Sequence, residues 1–238
     1  MHINLDIGII GSVDLGKEDK MIRLYFVRHG KTKWNLESRY QGMHGDSPLL
    51  DESYQEIKLL AKSLSGVPFA HIYASPIKRA RDTANYLRSQ LRKSIPLSLV
   101  SGISEFDLGK MEGMLFNDVK QQFPTAFDAF RNHPDRYDAD EIQGESFEQV
   151  MFRFKNAVDE IVQANQGEKN VIIVSHGAAM NAGINGLLGV SIEHLRDRGG
   201  LSNTSTTIID ADQNGYHLVK WNETSYLNRS QNDPTDTI

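Results

Sequence analysis

The four residues at positions 171–174 form an unbroken apolar run, Val-Ile-Ile-Val, with polar residues on both sides. A strand with one face in water alternates apolar and polar residues, so a run without alternation indicates a strand covered on both faces. Such strands occur in parallel sheets, where helical crossovers cover both faces. This feature predicts an α/β chain built in three layers.

The rest of the chain alternates strand-like and helix-like segments. A strand-like run at 22–27, Ile-Arg-Leu-Tyr-Phe-Val, predicts another strand, and apolar residues at helical spacing predict an amphipathic helix over 146–164. We therefore expect a three-layer sandwich with a mostly parallel central sheet flanked by helices. The other expected strands are 71–74, 97–100, 206–209 and 215–220, and the other expected helices are 49–64, one starting near Pro76, and 178–188.

A length of 238 residues suits one domain with a small insertion. Residues 112–145 interrupt the alternation with two prolines and several aromatic residues. We expect a small helical cap there, too short to build a core of its own. The functional domain is expected to span 21–221, followed by a polar tail over 222–238. Residues 1–20 resemble an appended leader; the alternative, an ordinary edge element of the domain, stays open.

Composition argues against several classes of function. The net charge of −5 disfavours nucleic-acid binding through overall basicity, so no nucleic-acid partner is expected. No stretch approaches the roughly 20 apolar residues of a membrane span, and the N-terminal residues lack the features of a secretion signal. The absence of cysteine excludes disulfides and all-thiolate zinc sites. We expect a cytoplasmic protein with no membrane partner, and no pattern in the sequence indicates its oligomeric state.

Two histidine-glycine pairs follow two of the predicted strands. His29 and Gly30 follow the first strand, and His176 and Gly177 follow the strand at 171–174. Because the carboxyl ends of parallel strands lie at one edge of a sheet, two imidazoles can enter one pocket. Glycine lets the backbone turn sharply or approach a ligand closely. The helix expected after the second pair directs free N–H groups toward the same place, which favours an anion.

Two arginines and a glutamate are expected at the same edge. Arg28 precedes the first histidine, Arg79 lies in the first turn of the helix after the second strand, and Glu105 follows the third strand. Arginine offers a planar pair of donors to phosphate oxygens. A neutral imidazole can attack phosphorus, and a carboxyl group can protonate the departing alkoxide and later deprotonate water. The set predicts phosphomonoester cleavage through histidine.

Four segments, in this order, resemble the motifs of the histidine phosphatase superfamily, the group that contains the cofactor-dependent phosphoglycerate mutases. The resemblance spans residues 21–210 approximately. The segments are Arg28-His29-Gly30-Lys31-Thr32-Lys33-Trp34-Asn35, Ser75-Pro76 with Arg79-Ala80 and Thr83-Ala84, Glu105 with Gly109 and Glu112-Gly113, and Ser175-His176-Gly177.

The resemblance implies a role for each matching residue. One histidine is the nucleophile, the second histidine and both arginines hold the phosphate, and the glutamate is the proton donor of the phosphatase branch. The implied catalytic residues are His29, Glu105, Arg28, Arg79 and His176, and the implied substrate-binding residues are Asn35, Thr32 and Gly177.

Three positions depart from the superfamily's pattern. Lys31 stands where many members have an acidic or amide residue, Met111 where a tryptophan is common, and Ser53 where glycine is frequent. None of these removes a catalytic group. We expect Lys31 and Met111 to alter the entrance of the pocket.

Four further residues receive weaker interpretations. His44, in the loop after the first motif, could approach the substrate, and Glu145 could line the entrance. Arg81 is expected to be a charge on a helix surface. Ser146 is expected to cap the long helix that follows it.

The predicted function is metal-independent phosphomonoester hydrolysis without a cofactor, acting on a small phosphorylated metabolite that the sequence does not specify. A metal site is disfavoured because no close pair of ligands exists and arginines would repel a cation. The main alternative is a phosphoglycerate mutase. Superfamily mutases resemble one another in a Glu-Arg-His-Tyr-Gly-like stretch and a longer basic insertion; residues 105–109 read Glu-Phe-Asp-Leu-Gly, and the insertion is short, which favours a phosphatase. A third alternative is a non-catalytic phosphate-binding module.

Overall fold

The computed structural model describes residues 21–91, 94–168 and 170–227. Six strands form one sheet in the order β3-β2-β4-β1-β5-β6. The first four in this order pair in parallel, and β5 pairs antiparallel with both β1 and β6. The expected mostly parallel sheet is confirmed, with an antiparallel hairpin at one edge. The strands are β1 Ile22–Arg28, β2 His71–Ala74, β3 Leu97–Leu99, β4 Asn170–Ser175, β5 Thr206–Asp212 and β6 Gly215–Glu223.

The residues at 171–174 are all fully buried in β4. Their side chains alternate between two core clusters, since Val171 and Ile173 belong to one cluster and Ile172 and Val174 to the other. A strand shared in this way is covered on both faces, and this explains why its sequence shows no polar alternation.

Helices cover both faces of the sheet and complete the three layers. Helices α2 and α3 pack on one face, and α7 and α8 pack on the other. Ten of the eleven residues of α8 are buried because α7 lies directly over it. The helices are α1 Lys33–Leu36, α2 Asp51–Ser63, α3 Lys78–Gln90, α4 Phe116–Gln122, α5 Pro124–Asn132, α6 Ala139–Ile142, α7 Phe147–Ala164 and α8 Gly177–Leu187, with short 3-10 helices at Ser101–Ile103, Gly109–Met111, Pro134–Arg136 and Ile192–His194.

Helix α7 begins with a capping box. The Ser146 hydroxyl accepts from the backbone N–H of Gln149, and the Gln149 side chain accepts from the backbone N–H of Ser146. The expected N-cap is confirmed, because these two bonds satisfy donors that the first helical turn leaves free.

The insertion at 112–145 is helical, as expected: it contains α4, α5, a 3-10 turn and α6. Its buried apolar residues Val119, Phe130 and Ile142 belong to the same core cluster as α7 and α8. The segment therefore shares the core of the main domain, as its short length predicted.

The expected boundary at residue 221 is wrong by several residues. Strand β6 extends to Glu223, which pairs with Thr206, and Leu227 is buried. The Tyr226 hydroxyl donates to the Thr204 carbonyl oxygen at 2.7 Å, so the chain stays attached to the domain beyond its last strand. The expected leader at 1–20 and the rest of the tail at 228–238 lie outside the described residues. None of the helices within the described ranges has the length and apolar character needed to span a membrane.

Candidate active site

The carboxyl ends of β1, β2 and β4 lie side by side at one edge of the sheet. Arg28 at the end of β1 pairs with Ser175 at the end of β4, and Ala74 at the end of β2 pairs with Val174. The residues that follow these strands are therefore brought together, as expected for parallel strands.

His29 is buried at the end of β1 in a defined protonation state. Its Nδ1 lies 2.8 Å from the Gly30 carbonyl oxygen, and Arg79 Nε lies 3.3 Å from its Nε2. A carbonyl oxygen can only accept a hydrogen bond and a guanidinium can only donate one. These partners require the proton on Nδ1 and a lone pair on Nε2.

The electrostatic surroundings favour this neutral form. Burial is the largest cause that lowers the pKa of His29 well below its ordinary value of 6.5, and the positive charges of Arg79 and Arg28 lower it further. Nε2 therefore keeps its lone pair at neutral pH, which is the requirement for a nucleophilic imidazole.

His176 lies beside His29, with ring centroids 5.2 Å apart. Its Nε2 is 2.8 Å from the Ser75 hydroxyl, and its Nδ1 is buried without a hydrogen-bond partner among the described residues. Burial, followed by the charge of Arg79, lowers the pKa of His176 well below its ordinary value. The structure thus brings the two predicted imidazoles together, both neutral.

All five N–H donors of Arg79 have partners within the protein. One donates to His29, and the others donate to the loop at 41–46: to the carbonyl oxygens of Gln41, Gly42 and Gly45, and to Oδ1 of Asp46. The guanidinium that is expected to bind phosphate therefore already donates to backbone carbonyl oxygens and one carboxylate.

Arg28 is buried directly before His29, and its guanidinium donates to the Leu201 carbonyl oxygen. A Cβ atom at position 177 would lie 3.0 Å from both Cζ and Nε of Arg28. Glycine at position 177 therefore leaves room for the Arg28 side chain at the start of α8. Its expected role in substrate binding remains a prediction.

Glu105 is buried against the N-terminus of α8. Its Oε1 accepts from the backbone N–H groups of Ala179 at 2.8 Å and Phe106 at 3.0 Å, and its Oε2 accepts from Ala178 at 3.2 Å. The negative carboxylate lies at the positive end of the helix dipole. This contact joins the segment after β3 to the turn that carries His176.

Thr32 and Asn35 form the capping box of α1. Asn35 Oδ1 accepts from the backbone N–H and the hydroxyl of Thr32, and the Thr32 hydroxyl oxygen accepts from the Asn35 backbone N–H. The Asn35 side-chain NH2 has no partner among the described residues, so it is the group of this pair that is available to a ligand. Thr32 has a structural role here, and its expected substrate contact remains a prediction.

The loop before β5 supplies residues that the sequence interpretation missed. Asn203 is fully buried and donates from Nδ2 to the His29 carbonyl oxygen at 3.0 Å, and its Oδ1 has no partner in the described part of the chain. Thr204 has a φ of 61°, which is strained for a β-branched residue, and its N–H donates to the Arg28 carbonyl oxygen. The polar run Asn-Thr-Ser before an apolar strand was the available signal.

Arg153 on α7 fixes the segment that carries Glu105. Its guanidinium makes two 2.8 Å bonds to the two carboxylate oxygens of Glu145, and three to the carbonyl oxygens of Gly102, Ser104 and Glu105. All five donors are satisfied, which makes the contact a rigid clamp. Glu145, expected at the entrance, instead holds this clamp and accepts from a backbone N–H near Glu105.

The three departures from the superfamily's pattern are all buried. Ser53 donates to the Lys31 carbonyl oxygen at 2.7 Å, and its Cβ would lie 2.9 Å from a Cβ at position 30. Met111 lies in the core, so its expected effect on the entrance is wrong.

The His44 side chain, which was expected to approach the substrate, is 69% exposed, and its Nε2 lies 3.3 Å from an Asp107 carboxylate oxygen.

Among the residues that the structure describes, no three His, Asp or Glu side chains are grouped so that they could hold a metal ion. The charges that act on the two imidazoles are those of Arg79 and Arg28, and Arg153 also acts on His176.

A sheet edge that gathers two neutral imidazoles and two buried arginines is typical of enzymes that handle phosphate through histidine. The family model described as "Histidine phosphatase superfamily (branch 1)" matches residues 24–224, and the chain belongs to this superfamily.

Individual relatives agree with this assignment. The chain is 33% identical over 208 residues to "Phosphoserine phosphatase 1" of Hydrogenobacter thermophilus, covering 87% of this chain and 95% of the relative. It is 28% identical over 220 residues to "Metal-independent phosphoserine phosphatase" of Arabidopsis thaliana, covering 91% and 87%. The solved structure titled "Bacillus stearothermophilus YhfR" superposes with a TM-score of 0.80 at 35% identity, covering 86% of this chain and 98% of that one.

Proposed function

We propose that this protein is a metal-independent phosphomonoester hydrolase in which His29 is transiently phosphorylated. The observation that carries the proposal is the orientation of His29: its Nδ1 contacts the Gly30 carbonyl oxygen, and its Nε2 lone pair faces the buried Arg79 guanidinium at the edge of the sheet. The names of two relatives, both phosphoserine phosphatases, support a hydrolase.

In the first step, Nε2 of His29 attacks the phosphorus atom of the ester, and the bond from phosphorus to the alkoxide oxygen breaks. Arg79, which contacts Nε2, stabilises charge on the phosphoryl oxygens together with Arg28 and His176. The Asn35 NH2 is a further donor. Glu105 enters this step protonated and gives its proton to the alkoxide, so the alcohol leaves as a neutral molecule.

In the second step, water attacks the phosphorus of phosphohistidine. Glu105, now a carboxylate, takes the proton from that water, and the bond to Nε2 breaks to release inorganic phosphate. Three backbone N–H groups donate to Glu105, and these contacts hold its side chain in place for the proton transfer. This proton transfer leaves Glu105 protonated, and the Nε2 lone pair is restored, so the site is ready for the next cycle.

Phosphate binding requires Arg79 to exchange partners. Its donors are all used within the protein, and four of them contact the loop at 41–46. We infer that phosphate oxygens replace some of these carbonyl oxygens, because charge-assisted bonds to an anion are stronger than bonds to neutral carbonyl groups. They also replace His29 as the partner of Arg79 Nε, which frees the Nε2 lone pair for attack.

Phosphorus NMR tests the proposal directly. The protein is incubated with EDTA and a pool of phosphomonoesters that includes 3-phosphoglycerate, with a trace of 2,3-bisphosphoglycerate. A His29→Ala sample runs alongside. We expect the unmutated protein to release inorganic phosphate in the presence of EDTA, and the variant to release none.

Two outcomes would overturn this proposal in different ways. Formation of 2-phosphoglycerate with little free phosphate would make the protein a mutase, in which bound substrate rather than water accepts the phosphate. Phosphate binding without turnover would make it a binding module. The cytoplasmic location stays a prediction, which cell fractionation tests.

A further inference from the structure

A cavity of about 700 Å³ lies beside the proposed catalytic residues. Its wall meets the site at three points: Asp46, which accepts from Arg79; Pro76, which follows the serine in contact with the second imidazole; and Ser104, which precedes Glu105. The volume lies within the range of small-molecule pockets, roughly 300–1,000 Å³. The cavity is therefore large enough, and close enough, for the part of a substrate that leaves as alcohol.

Four charged residues line the cavity, and three of them are neutralised by a side chain of opposite charge outside the lining: Lys78, Arg153 and Asp46. The fourth is Arg81. Its half-buried guanidinium makes no hydrogen bond or ion pair with any residue that the structure describes. The cavity wall thus carries one positive charge that the protein leaves unmatched.

We propose that this cavity binds the alcohol portion of the substrate and that Arg81 binds a carboxylate on it. This inference rests on the proposed function, because it assigns the leaving group of the same reaction. One unmatched cation suits a carboxylate, with its single negative charge, better than a second, dianionic phosphate. The planar guanidinium can donate two parallel bonds to the two carboxylate oxygens.

Helix α3 then contacts both ends of the substrate, the phosphate and the carboxylate. Arg79, in its first turn, contacts the nucleophile, and Arg81, two residues later, faces the cavity. The carbon skeleton between the phosphate and the carboxylate lies against the apolar side chains of Met43 and Ile77. The sequence predicted that Arg81 is a charge on the helix surface. In this inference it determines the specificity for carboxylated substrates.

The test uses two pairs of substrates that differ in a carboxylate. O-phosphoserine is compared with O-phosphoethanolamine, and 3-phosphoglycerate with glycerol 3-phosphate. Steady-state kinetics are measured for the unmutated protein, Arg81→Ala and Arg81→Lys. The matched control is Arg88→Ala on the same helix. It removes the same charge away from the cavity, at a position where the arginine donates to Asn85.

We expect Arg81→Ala to lower kcat/KM by about tenfold for the two carboxylated esters, mainly by raising KM. A factor of this size corresponds to the loss of one charge-assisted hydrogen bond. The other two esters should change less than about twofold, Arg81→Lys should keep part of the preference, and Arg88→Ala should behave as the unmutated protein. An equal effect of Arg81→Ala on both members of each pair would overturn the inference, as would an unmutated protein with no preference for the carboxylate. Absence of phosphate release from all four esters would instead overturn the proposed function.

Discussion

The two histidine-glycine turns resemble each other in sequence and differ in structure. His29 donates from Nδ1 to the carbonyl of its own glycine, so Nε2 is left for Arg79 and for a substrate. His176 instead uses Nε2 on Ser75, and its other nitrogen is enclosed. The partner of one ring nitrogen decides which atom of an imidazole can react. We therefore expect the same dipeptide to serve two roles: attack at His29 and stabilisation at His176.

The largest difference should appear when each imidazole is removed. We expect His29→Ala to lower kcat by at least ~10⁴-fold, because the nucleophile is lost. His176→Ala should lower kcat by about 10²–10³-fold, the usual cost of one stabilising donor. Rapid quenching with phosphorus-32-labelled ester should find acid-labile phosphate on the His176→Ala chain and none on His29→Ala. Equal labelling of both variants would contradict the assignment, and the exposed His217→Ala serves as control.

The second turn also binds Glu105, which the first does not, and the Arg153 clamp holds this contact. We expect Glu145→Gln to lower kcat by about 10- to 100-fold for alkyl phosphates, because a shift of the acid by a fraction of an ångström weakens proton transfer. The loss should be much smaller for p-nitrophenyl phosphate, whose leaving group needs no proton.

The comparison of leaving groups separates positioning from general damage to the fold. A uniform loss with both esters would show that Glu145 only stabilises the structure. Arg153→Lys provides a second variant, since lysine keeps the charge and loses the two parallel bonds to the carboxylate. Like Glu145→Gln, Arg153→Lys should lower kcat more for alkyl phosphates than for p-nitrophenyl phosphate.

Both turns should make the protein less stable in acid. The pKa of each histidine is lowered in the folded state, mainly by burial, so below pH 6.5 the unfolded chain binds protons that the folded chain does not. The contribution of each neutral histidine is fully present above pH 6.5 and falls by about 1.4 kcal/mol per pH unit below it. Urea denaturation at several pH values gives the unfolding free energy as a function of pH. Below pH 6.5 this free energy should fall less steeply for His29→Gln and for His176→Gln, each by the contribution of one histidine. Unchanged slopes would contradict the burial argument.

The smallest effect concerns the two glycines. A Cβ at position 30 would lie 2.9 Å from Cβ of Ser53, and one at position 177 would lie 3.0 Å from the Arg28 guanidinium. We expect Gly30→Ala to cost about 1 kcal/mol of unfolding free energy through overpacking, and the added Ser53→Gly change to restore part of it. Gly177→Ala should mainly raise KM, because it displaces Arg28. Denaturation and steady-state kinetics distinguish these outcomes, and the reverse pattern would contradict them.

Much of the fold follows from local patterns. The apolar run in β4, the amphipathic spacing of α7 and its Ser146 cap each predicted the element observed. The end of the domain was placed too early, because the polar residues of β6 resemble a tail until their pairing with β5 is known. Edge strands carry weak sequence signals since much of their surface faces solvent.

The sequence by itself determined which reactive groups exist and that parallel strands must bring His29 and His176 to one edge. Only the tertiary structure decided which nitrogen of each imidazole is free, that all donors of Arg79 are occupied, and that Arg153 holds Glu105 from a distant helix. The physical reason is range: strand and helix patterns depend on neighbouring residues, whereas hydrogen-bond partners and unmatched charges depend on segments that meet only when the chain has folded.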